Sequence, residues 1–168
     1  RFIKRPSVWL DTIHRHRGNA TFAPNFAFAL VSKRVRKSHL EKWDLSCLKV
    51  VGCGAEPIQP ETMRAFTEVF ASECGMPSNA IMPAYGMAEA TLAISLKPAD
   101  EEMMTLRCDP EAFQEKGQVV ETDDVENGME WVGCGVPFAD HEVAVMNDAG
   151  GVLAEGHEGE LCHRGPSV

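Results

Sequence analysis

The amino-acid sequence predicts an α/β protein with a largely parallel sheet flanked by helices, followed by the start of a β-rich subdomain. Helix-like and strand-like segments alternate up to residue 96, which is the pattern of parallel sheets. Residues 97–130 are polar and acidic with little periodicity, and hairpin-like patterns follow from residue 131. We therefore divide the chain into an α/β part (1–96), an acidic insertion (97–130) and a β-rich segment (131–168).

Three helices are predicted in the α/β part. Pro6 and Gly18 bracket the first, because proline suits a first helical turn and glycine the residue past a helix end. The second opens after Pro24, and the third runs from Pro60 to a closing Gly75. Their apolar faces carry residues at helical spacing: Trp9, Leu10 and Ile13, then Phe26, Leu30 and Val31, then Met63, Phe66, Val69 and Phe70.

Short apolar runs predict the strands. Those of the α/β part are expected at residues 20–23, 48–51 and 81–84, with a Gly-Cys-Gly turn breaking the second. Further on, residues 141–145 alternate in polarity, a turn-rich Asn-Asp-Ala-Gly-Gly stretch follows, and residues 159–163 return as the partner strand of a hairpin.

Charge is spread unevenly along the chain, whose formal net charge is -9. Residues 1–49 carry eleven Lys and Arg against three Asp and Glu, whereas residues 100–130 carry eleven acids against two bases. The acidic block is typical of a solvated surface insertion. A short basic cluster at 33–37 has no interleaved aromatic residues, so we expect no nucleic-acid partner.

The six cysteines form no Cys-x-x-Cys pair and lie mostly in apolar surroundings. This favours buried free thiols of a cytoplasmic protein over disulfides or a zinc site. There is no signal peptide, and no apolar run approaches the length of a membrane span. Because the chain starts at Arg1 without an initiator Met and ends abruptly, we expect it to be an internal segment of a longer protein.

Small residues follow the second predicted strand, in Gly54, Ala55, Glu56 and Pro57. Such residues let a flat ligand lie against backbone amides, and Glu56 could accept a hydrogen bond from a ribose or an exocyclic amine. The same residues equally fit a tight turn that ends in proline. Taken alone, this loop does not choose between a turn and a ligand site.

The third strand leads into Tyr85-Gly86-Met87-Ala88-Glu89. Loops after the strands of an open α/β sheet are where such sheets bind ligands. Tyr85, the only tyrosine, could stack on a purine, and Glu89 could offer carboxylate oxygen to Mg²⁺, which takes one or two carboxylates plus phosphate oxygens. A buried Tyr85 with a satisfied hydroxyl and a surface Glu89 is the structural alternative.

The two loops together resemble those of adenylate-forming enzymes, in which a Gly-Ala-Glu-Pro-like loop and a Tyr-Gly-x-x-Glu loop flank the adenine. The family's later Gly-Glu-(Leu/Ile)-x-x-Arg-Gly-Pro segment corresponds to residues 159–166. Essentially the whole chain resembles the fatty acyl-AMP ligases in particular. Their marks here are Arg5-Pro6 followed by Trp9-Leu10, Ala23-Pro24-Asn25-Phe26-Ala27, Asp44-Leu45-Ser46 and an alanine at position 88.

The resemblance implies a role for each matching residue. ATP or AMP would be bound by Gly54, Ala55, Glu56, Pro57, Tyr85, Gly86, Met87 and Ala88. Glu89 would be the catalytic residue that holds Mg²⁺, and Asn25 and Phe26 would lie nearest the fatty acyl chain, although Phe26 fits a core position equally well. Ala88 has no hydroxyl to offer the α-phosphate, which leaves Thr91 as a donor to consider.

By the same resemblance, the parent protein would activate a fatty acid with ATP to an acyl-adenylate and pyrophosphate. It would pass the acyl group to an acyl carrier protein, or to a carrier domain of a polyketide or nonribosomal peptide synthase. Residues 97–130 fall where these ligases carry an insertion linked to failure to use coenzyme A. The basic cluster Lys33, Arg34, Arg36 and Lys37 could dock an acidic carrier protein.

Other functions stay open. An acyl-CoA synthetase would use the same adenylation site, and a degenerate nucleotide- or lipid-binding module would keep the fold without the chemistry. The family's phosphate-binding loop and its later Asp and Lys have no counterpart in the chain. Since preorganised charge is usually the largest catalytic contribution, we expect the isolated chain to be inactive.

Overall fold

A computed structural model describes residues 2–168 and confirms the α/β class, with a central sheet flanked by helices. The helices are α1 (Ser7–His16), α2 (Asn25–Arg34), α3 (Lys37–Leu40), α4 (Pro60–Cys74) and α5 (Pro110–Lys116). The strands are β1 (Ala20–Ala23), β2 (Val50–Cys53), β3 (Ile81–Tyr85), β4 (Ser95–Leu96), β5 (Thr105–Cys108), β6 (Met129–Val132), β7 (Val136–Pro137), β8 (Glu142–Met146) and β9 (Glu160–Arg164). Within residues 2–168, no helix has the length and apolarity needed to cross a membrane.

The central sheet has the strand order β1-β2-β3-β4-β7. Its first three strands run parallel, as the alternating pattern predicts, and β4 and β7 add to it in antiparallel fashion. The parallel strands are joined by crossovers that contain α2 and α4, so that the carboxyl ends of β1, β2 and β3 lie at one edge. This shared edge is the feature of the fold that positions the candidate site.

Aromatic side chains form the centre of the core. The ring of Phe66 in α4 lies 4.9 Å from that of Phe28 in α2 and 4.5 Å from that of Phe70, and all three side chains are fully buried. The predicted core position of Phe26 is wrong, because its side chain is 47% exposed and Phe28 takes that place. Phe26 and Phe28 are two positions apart, so their side chains leave the helix roughly 200° from each other and only one of them can face α4.

The ends of two elements differ from the sequence prediction. The left-handed residue that ends α1 is Arg17 (φ 55°), one position before Gly18. The strand β2 continues through Gly52 and Cys53 instead of ending in a turn there. Gly52 fits in the strand because the ring of Phe22 lies over it, and a Cβ on Gly52 would come 2.1 Å from that ring. In contrast, α4 has the predicted limits, with Gly75 in the left-handed conformation after its last turn.

The acidic segment has more regular structure than its sequence predicts. Residues 97–130 contain β5 and α5, and β5 pairs with β6 in an antiparallel hairpin. The hairpin crosses the predicted boundary at residue 130, because Glu130 and Trp131 are consecutive residues of β6. The division into an insertion and a β-rich segment stays a prediction.

Several contacts attach the acidic segment to the α/β part. Lys97 is buried, and its Nζ donates hydrogen bonds to the carbonyl oxygens of Asn79 (3.1 Å), Pro98 (2.7 Å) and Glu101. The Ser78 hydroxyl donates to Glu102 Oε1 at 2.8 Å. All three ammonium protons of Lys97 are therefore satisfied, as a buried charge requires.

The predicted hairpin near the end of the chain is confirmed. Strands β8 and β9 pair in antiparallel register from Glu142 with Arg164 to Met146 with Glu160. The Glu142 and Arg164 side chains form an ion pair at 2.5 Å between Oε2 and Nη2. Both side chains are largely exposed, so this pair makes a small contribution to stability.

Candidate functional site

The loops that carry the predicted site residues leave the sheet at the same edge. Pro24 follows β1, Gly54 follows β2, and Gly86 follows β3. Because these strands are adjacent and parallel, the loops converge at the carboxyl edge, where open α/β sheets bind ligands. The site predicted from two separate stretches of sequence is thus a single place in the fold.

The loop after β2 is held in an uncommon backbone conformation. A Cβ on Gly54 would lie 2.8 Å from the carbonyl oxygen of Ala84, so this position needs glycine. The next residue, Ala55, has φ 68°, in the left-handed region that residues with a side chain rarely adopt. Strained backbone of this kind concentrates at ligand-binding and catalytic sites.

The side chains of Glu56 and Asn25 link this loop to the start of α2. Glu56 Oε1 accepts a hydrogen bond from the backbone N–H of Phe26 at 2.6 Å, which places a carboxylate at the positive end of α2. In return, Asn25 Oδ1 accepts a hydrogen bond from the backbone N–H of Gln59 at 3.0 Å, just before α4. Glu56 Oε2 is left for a ligand, whereas the amide oxygen of Asn25 is already used.

The loop after β3 displays the residues predicted to bind the nucleotide and metal. Tyr85 is 42% exposed, so the alternative of a buried tyrosine is wrong. A 3-10 turn covers Ala88–Ala90, and Glu89 is exposed on it. Within residues 2–168, the Glu89 carboxylate makes no hydrogen bond or ion pair with another side chain, so it is free to bind a ligand.

Thr91 ends this loop in a tight turn. Its φ and ψ are 65° and -55°, and the N–H of Leu92 donates to the carbonyl oxygen of Ala90 at 2.7 Å, which are the marks of a strained three-residue turn. The Thr91 hydroxyl donates to the carbonyl oxygen of Ser167 at 3.0 Å. The hydroxyl considered above as a phosphate donor is therefore engaged by the chain itself.

Two cavities open at the converging loops. One, the acidic cavity, has a volume of about 720 Å³ and is lined by Ala55, Glu56, Pro57, Ile58, Gln59, Ala84, Tyr85, Gly86, Met129, Glu130, Trp131, Val132 and Cys134. It combines two carboxylates with two large aromatic side chains, those of Tyr85 and Trp131. Its size lies within the usual range for small-molecule sites.

The second, the apolar cavity, has a volume of about 680 Å³ and lies beside the first. It is lined by Phe22, Ala23, Pro24, Gly54, Ala55, Ala84, Tyr85, Gly86, Met87, Ala88, Thr91, Leu92, Ala93 and Leu96. It contains no charged side chain. Ala55, Ala84, Tyr85 and Gly86 line both cavities, so Tyr85 stands where a cavity that includes carboxylate residues meets one without charged residues.

The structure brings most of the predicted site residues together. Gly54 to Pro57 and Tyr85 to Ala88 each line at least one of the two cavities. Asn25 lines neither, and Phe26 lines a third cavity of about 570 Å³ beside α1. The acyl-binding role of these two residues stays a prediction. The metal-binding role of Glu89, which lies in the loop after β3, stays a prediction as well.

Sequence reasoning missed the wall of the acidic cavity formed by Met129 to Val132, because that stretch lies in and next to a segment interpreted as a surface insertion. The sequence contains one short repetition here, but four residues are too few to call it a repeat. The tetrapeptide Val-Gly-Cys-Gly occurs at residues 51–54 and again at 132–135, in both cases at the end of a strand and beside the site. Phe22, which lines the apolar cavity, is predicted from sequence only as part of a strand. Ala23 and Pro24 line it too, and they belong to the stretch by which the chain resembles the fatty acyl-AMP ligases.

Arginines hold Glu130 in place. Arg64 on α4 donates from both Nη atoms to the Glu130 carboxylate, at 2.9 and 2.8 Å, and Arg107 Nη2 lies 3.3 Å from the same group. The hydrogen bonds from Arg64 lower the pKa of Glu130 from 4.5 to about 2. Bidentate pairing of this kind fixes both partners in orientation.

We expect Glu130→Gln to change how the stability of the protein depends on pH. Since the pKa of Glu130 is depressed in the folded state, its ionised form stabilises the fold fully above about pH 4.5, and this contribution is lost as the pH falls towards about 2. Urea unfolding should show the variant to be less stable than wild type at neutral pH, with a smaller further loss on acidification.

The matched control for that prediction is Glu142→Gln, which breaks the exposed ion pair with Arg164. Its free energy of unfolding should stay within about 0.5 kcal/mol of wild type, as is usual for surface pairs. A Glu130→Gln profile that runs parallel to wild type between about pH 5 and about pH 2 would contradict the proposed pairing.

Two cysteines at or beside the acidic cavity carry protonated thiols. Cys53, at the end of β2, is fully buried, and burial raises the pKa of its thiol to about 12. Burial also raises the pKa of Cys134, which lines the acidic cavity. Both side chains therefore stay protonated at neutral pH.

The residues fit a magnesium–nucleotide site with one protein carboxylate. Within residues 2–168, no group of three or more His, Cys, Asp or Glu side chains is placed to hold a metal ion. Mg²⁺ is commonly bound by one or two carboxylates together with substrate phosphates. The free, exposed carboxylate of Glu89 suits that arrangement, provided that the nucleotide supplies the remaining ligands.

Comparison with known proteins gives matches over the whole chain. Residues 1–168 match the family described as AMP-binding enzyme. Long-chain-fatty-acid–AMP ligase FadD32 of Mycolicibacterium smegmatis is 35% identical over 174 residues, covering 99% of this chain and 27% of that protein. Medium-chain-fatty-acid–[acyl-carrier-protein] ligase TtuA of Teredinibacter turnerae is 33% identical over 168 residues, covering 99% and 26%.

A solved structure also matches nearly the whole chain. The fatty acyl-adenylate ligase of Legionella pneumophila, in complex with acyl adenylate and pyrophosphate, superimposes with a TM-score of 0.92 at 32% identity, covering 99% of this chain and 29% of that one. The chain thus spans under a third of the length of each of these three relatives.

Proposed function

Because the chain belongs to the AMP-binding enzyme family, we propose that it is the central part of a fatty acyl-AMP ligase, carrying the adenine-binding and acyl-binding loops. The parent protein activates a fatty acid with ATP, giving acyl-adenylate and pyrophosphate. The activity belongs to the longer protein, since the relatives have more than three times the length of this chain. We propose the cytoplasm as its compartment, in keeping with six cysteines that all lie as free thiols.

One observation carries this proposal, namely that the acidic and apolar cavities meet at Tyr85 and Gly86. An acyl-adenylate joins a polar nucleoside to a long apolar chain through one phosphate. A site for it needs a polar space and an apolar space with the reacting phosphate at their junction. At this edge of the sheet, the acidic cavity contributes the Glu56 carboxylate and aromatic rings, and the apolar cavity contributes an uncharged space.

In the proposed reaction, a carboxylate oxygen of the fatty acid attacks the α-phosphorus of ATP, and the bond to pyrophosphate breaks with its electron pair leaving on pyrophosphate. Tyr85 stacks on the adenine, and Glu56 Oε2 accepts a hydrogen bond from the ribose or the exocyclic amine. Backbone of Gly86, Met87 and Ala88 lies around the α-phosphate and the acyl carbonyl. Holding both reactants in this geometry supplies much of the rate enhancement.

Glu89 is the residue that would hold Mg²⁺ against the phosphates. The bound ion would neutralise charge that develops on the phosphate oxygens, which preorganised positive charge does in phosphoryl transfer generally. The turn at Ala88–Ala90 presents the carboxylate to solvent, with no side-chain partner to compete for it among residues 2–168.

We propose that the acyl group then passes to the phosphopantetheine thiol of a carrier protein or carrier domain. The thiol attacks the acyl carbonyl, and AMP leaves. Support comes from TtuA, whose name gives an acyl carrier protein as its acceptor.

The basic cluster at residues 33–37 offers a docking surface for an acidic carrier protein. All four basic side chains are exposed. Lys33 and Arg34 end α2, Arg36 follows that helix, and Lys37 begins α3. With 10 residues in α2, the end of that helix lies about 15 Å from Asn25.

The alternatives are distinguishable. An acyl-CoA synthetase would use the same adenylation residues and differ only in the acceptor. A non-catalytic module would bind nucleotide or lipid without making acyl-adenylate.

Incubation of the full-length protein with ATP, Mg²⁺ and a panel of acids, followed by mass spectrometry, tests the proposed adenylation. We expect acyl-adenylate from fatty acids and none from amino acids. No adenylate with any fatty acid would overturn the proposal.

The variant Tyr85→Ala should chiefly weaken ATP binding. Loss of base stacking predicts a rise of about 5- to 150-fold in the KM for ATP, with little change in the KM for the fatty acid. Tyr85→Phe keeps the ring and should stay close to wild type. Because Tyr85 is half-exposed, both variants should fold, and an unfolded Tyr85→Ala would contradict its placement at a ligand site.

A further inference from the structure

We infer that Trp131 is a nucleotide-binding residue, and that the hairpin of the acidic segment is therefore a wall of the nucleotide site. This inference rests on the proposed function. Trp131 lies on β6 and lines the acidic cavity together with Tyr85 and Glu56. Neither composition nor charge predicts this, because both describe residues 97–130 as a solvated insertion that ends just before Trp131.

The two aromatic side chains of the acidic cavity are both accessible to a ligand. Trp131 is 45% exposed and Tyr85 is 42% exposed, although each is a large ring beside a cavity of about 720 Å³. Half-exposed aromatic rings that share a cavity are a platform for flat ligands, because every nucleobase has a face that stacks on such rings.

The hairpin that carries Trp131 is held rigidly. Its neighbour Glu130 is fixed by the bidentate bonds from Arg64 on α4 and by Arg107 on β5. Phe113 of α5 packs against the Trp131 ring edge to face, with the ring centres 5.0 Å apart. The indole is therefore positioned before any ligand arrives, and Glu130 and Arg64 act as positioning residues.

The charges around Trp131 select which part of the substrate it contacts. Glu56 lines the acidic cavity, and its carboxylate repels the triphosphate. Arg64 and Arg107 balance the charge of Glu130, which adds no repulsion of its own. An acyl chain would lie in the uncharged apolar cavity, which Trp131 does not line. The base and ribose are the parts of the substrate that remain, and a carboxylate suits their hydroxyl and amino donors.

The test is AMP binding measured by calorimetry on the full-length protein, without fatty acid. Trp131→Leu keeps an apolar side chain against Phe113 but removes the ring, and should weaken AMP binding about 5- to 150-fold. Trp131→Phe restores an aromatic face and should recover most of that loss. The control is Leu106→Ala, on the residue of β5 that pairs with Trp131 but does not line the acidic cavity, and it should bind AMP as wild type does.

The outcomes separate this inference from the proposed function. If wild type binds no AMP, the proposed function fails and the inference with it. If wild type binds AMP and Trp131→Leu binds it equally well, only the inference is overturned. An equal loss in Leu106→Ala, or no recovery in Trp131→Phe, would also overturn it, because the effect would then come from the hairpin and not from the ring.

Discussion

Glu89→Ala is expected to lower the rate of acyl-adenylate formation by about 100- to 1,000-fold, the usual loss when one preorganised electrostatic contact to a reacting centre is removed. The carboxylate is exposed and has no side-chain partner among residues 2–168, so its removal takes nothing from the fold. The free energy of unfolding should change by less than about 0.5 kcal/mol. The rate is measured as pyrophosphate release from ATP and a fatty acid.

The proposed metal-binding role of Glu89 is tested by measuring how the rate of acyl-adenylate formation depends on the Mg²⁺ concentration. Glu89→Asp keeps a carboxylate at a greater distance from the phosphates, so its activity should recover in part as Mg²⁺ is raised, whereas Glu89→Ala should recover less. Glu155→Ala, which removes another exposed carboxylate away from the cavities, is the matched control and should behave as wild type. Full activity in Glu89→Ala with an unchanged Mg²⁺ dependence would show that this residue binds no catalytic metal.

Gly86→Ala is expected to abolish adenylation for a different reason. A Cβ at this position would lie 1.9 Å from the carbonyl oxygen of Leu92 and 2.7 Å from the Cα of Ala93. Both are backbone atoms, so the loop that follows Tyr85 must open to admit the methyl group. We expect a loss of more than about 100-fold in rate, since misplacement of reacting groups by about 1 Å costs that much.

The same substitution should destabilise the protein by about 1–3 kcal/mol, as overpacking usually does. Gly18→Ala is the control, because no atom lies within 4 Å of a Cβ at that position. Its activity and its thermal midpoint should stay close to wild type. Wild-type kinetics in Gly86→Ala would mean that the loop has room that the structure does not show, and the geometry of the site would need revision.

Much of the fold follows from local sequence signals. The limits of α4 were predicted from Pro60 and Gly75, because proline at the start of a helix and glycine after its end act through their own backbone geometry. The end of β2 could not be predicted from such local signals. Gly52 and Cys53 continue that strand because the ring of Phe22 covers Gly52 from the neighbouring strand, and no local pattern reports a contact across strands.

The candidate site likewise has parts that the sequence predicts and a part that it does not. The loops at Gly54 and Tyr85 were predicted from sequence, since loops after adjacent parallel strands must converge. The wall at Trp131 was missed, because its position depends on Glu130 meeting Arg64, which is 66 residues away in the chain. Composition indicates that a segment is acidic, but it does not indicate which of its carboxylates are paired.

Phe26 shows the limit of periodicity. Its spacing to Leu30 suits a helical face, but α2 buries the face that carries Phe28 and Val31. Which face is buried is decided by the partner helix α4 and its phenylalanines, so a pattern within α2 alone leaves the choice open.

A competition between coenzyme A and a carrier protein decides which acyl acceptor the parent protein uses. The full-length protein is incubated with ATP, Mg²⁺ and its preferred fatty acid, with coenzyme A and a phosphopantetheinylated carrier protein present together, and the products are identified by mass spectrometry. We predict acyl-carrier protein, with acyl-adenylate persisting when coenzyme A is the sole acceptor. Conversion of the adenylate to acyl-CoA would overturn the proposed acceptor and identify the parent protein as an acyl-CoA synthetase.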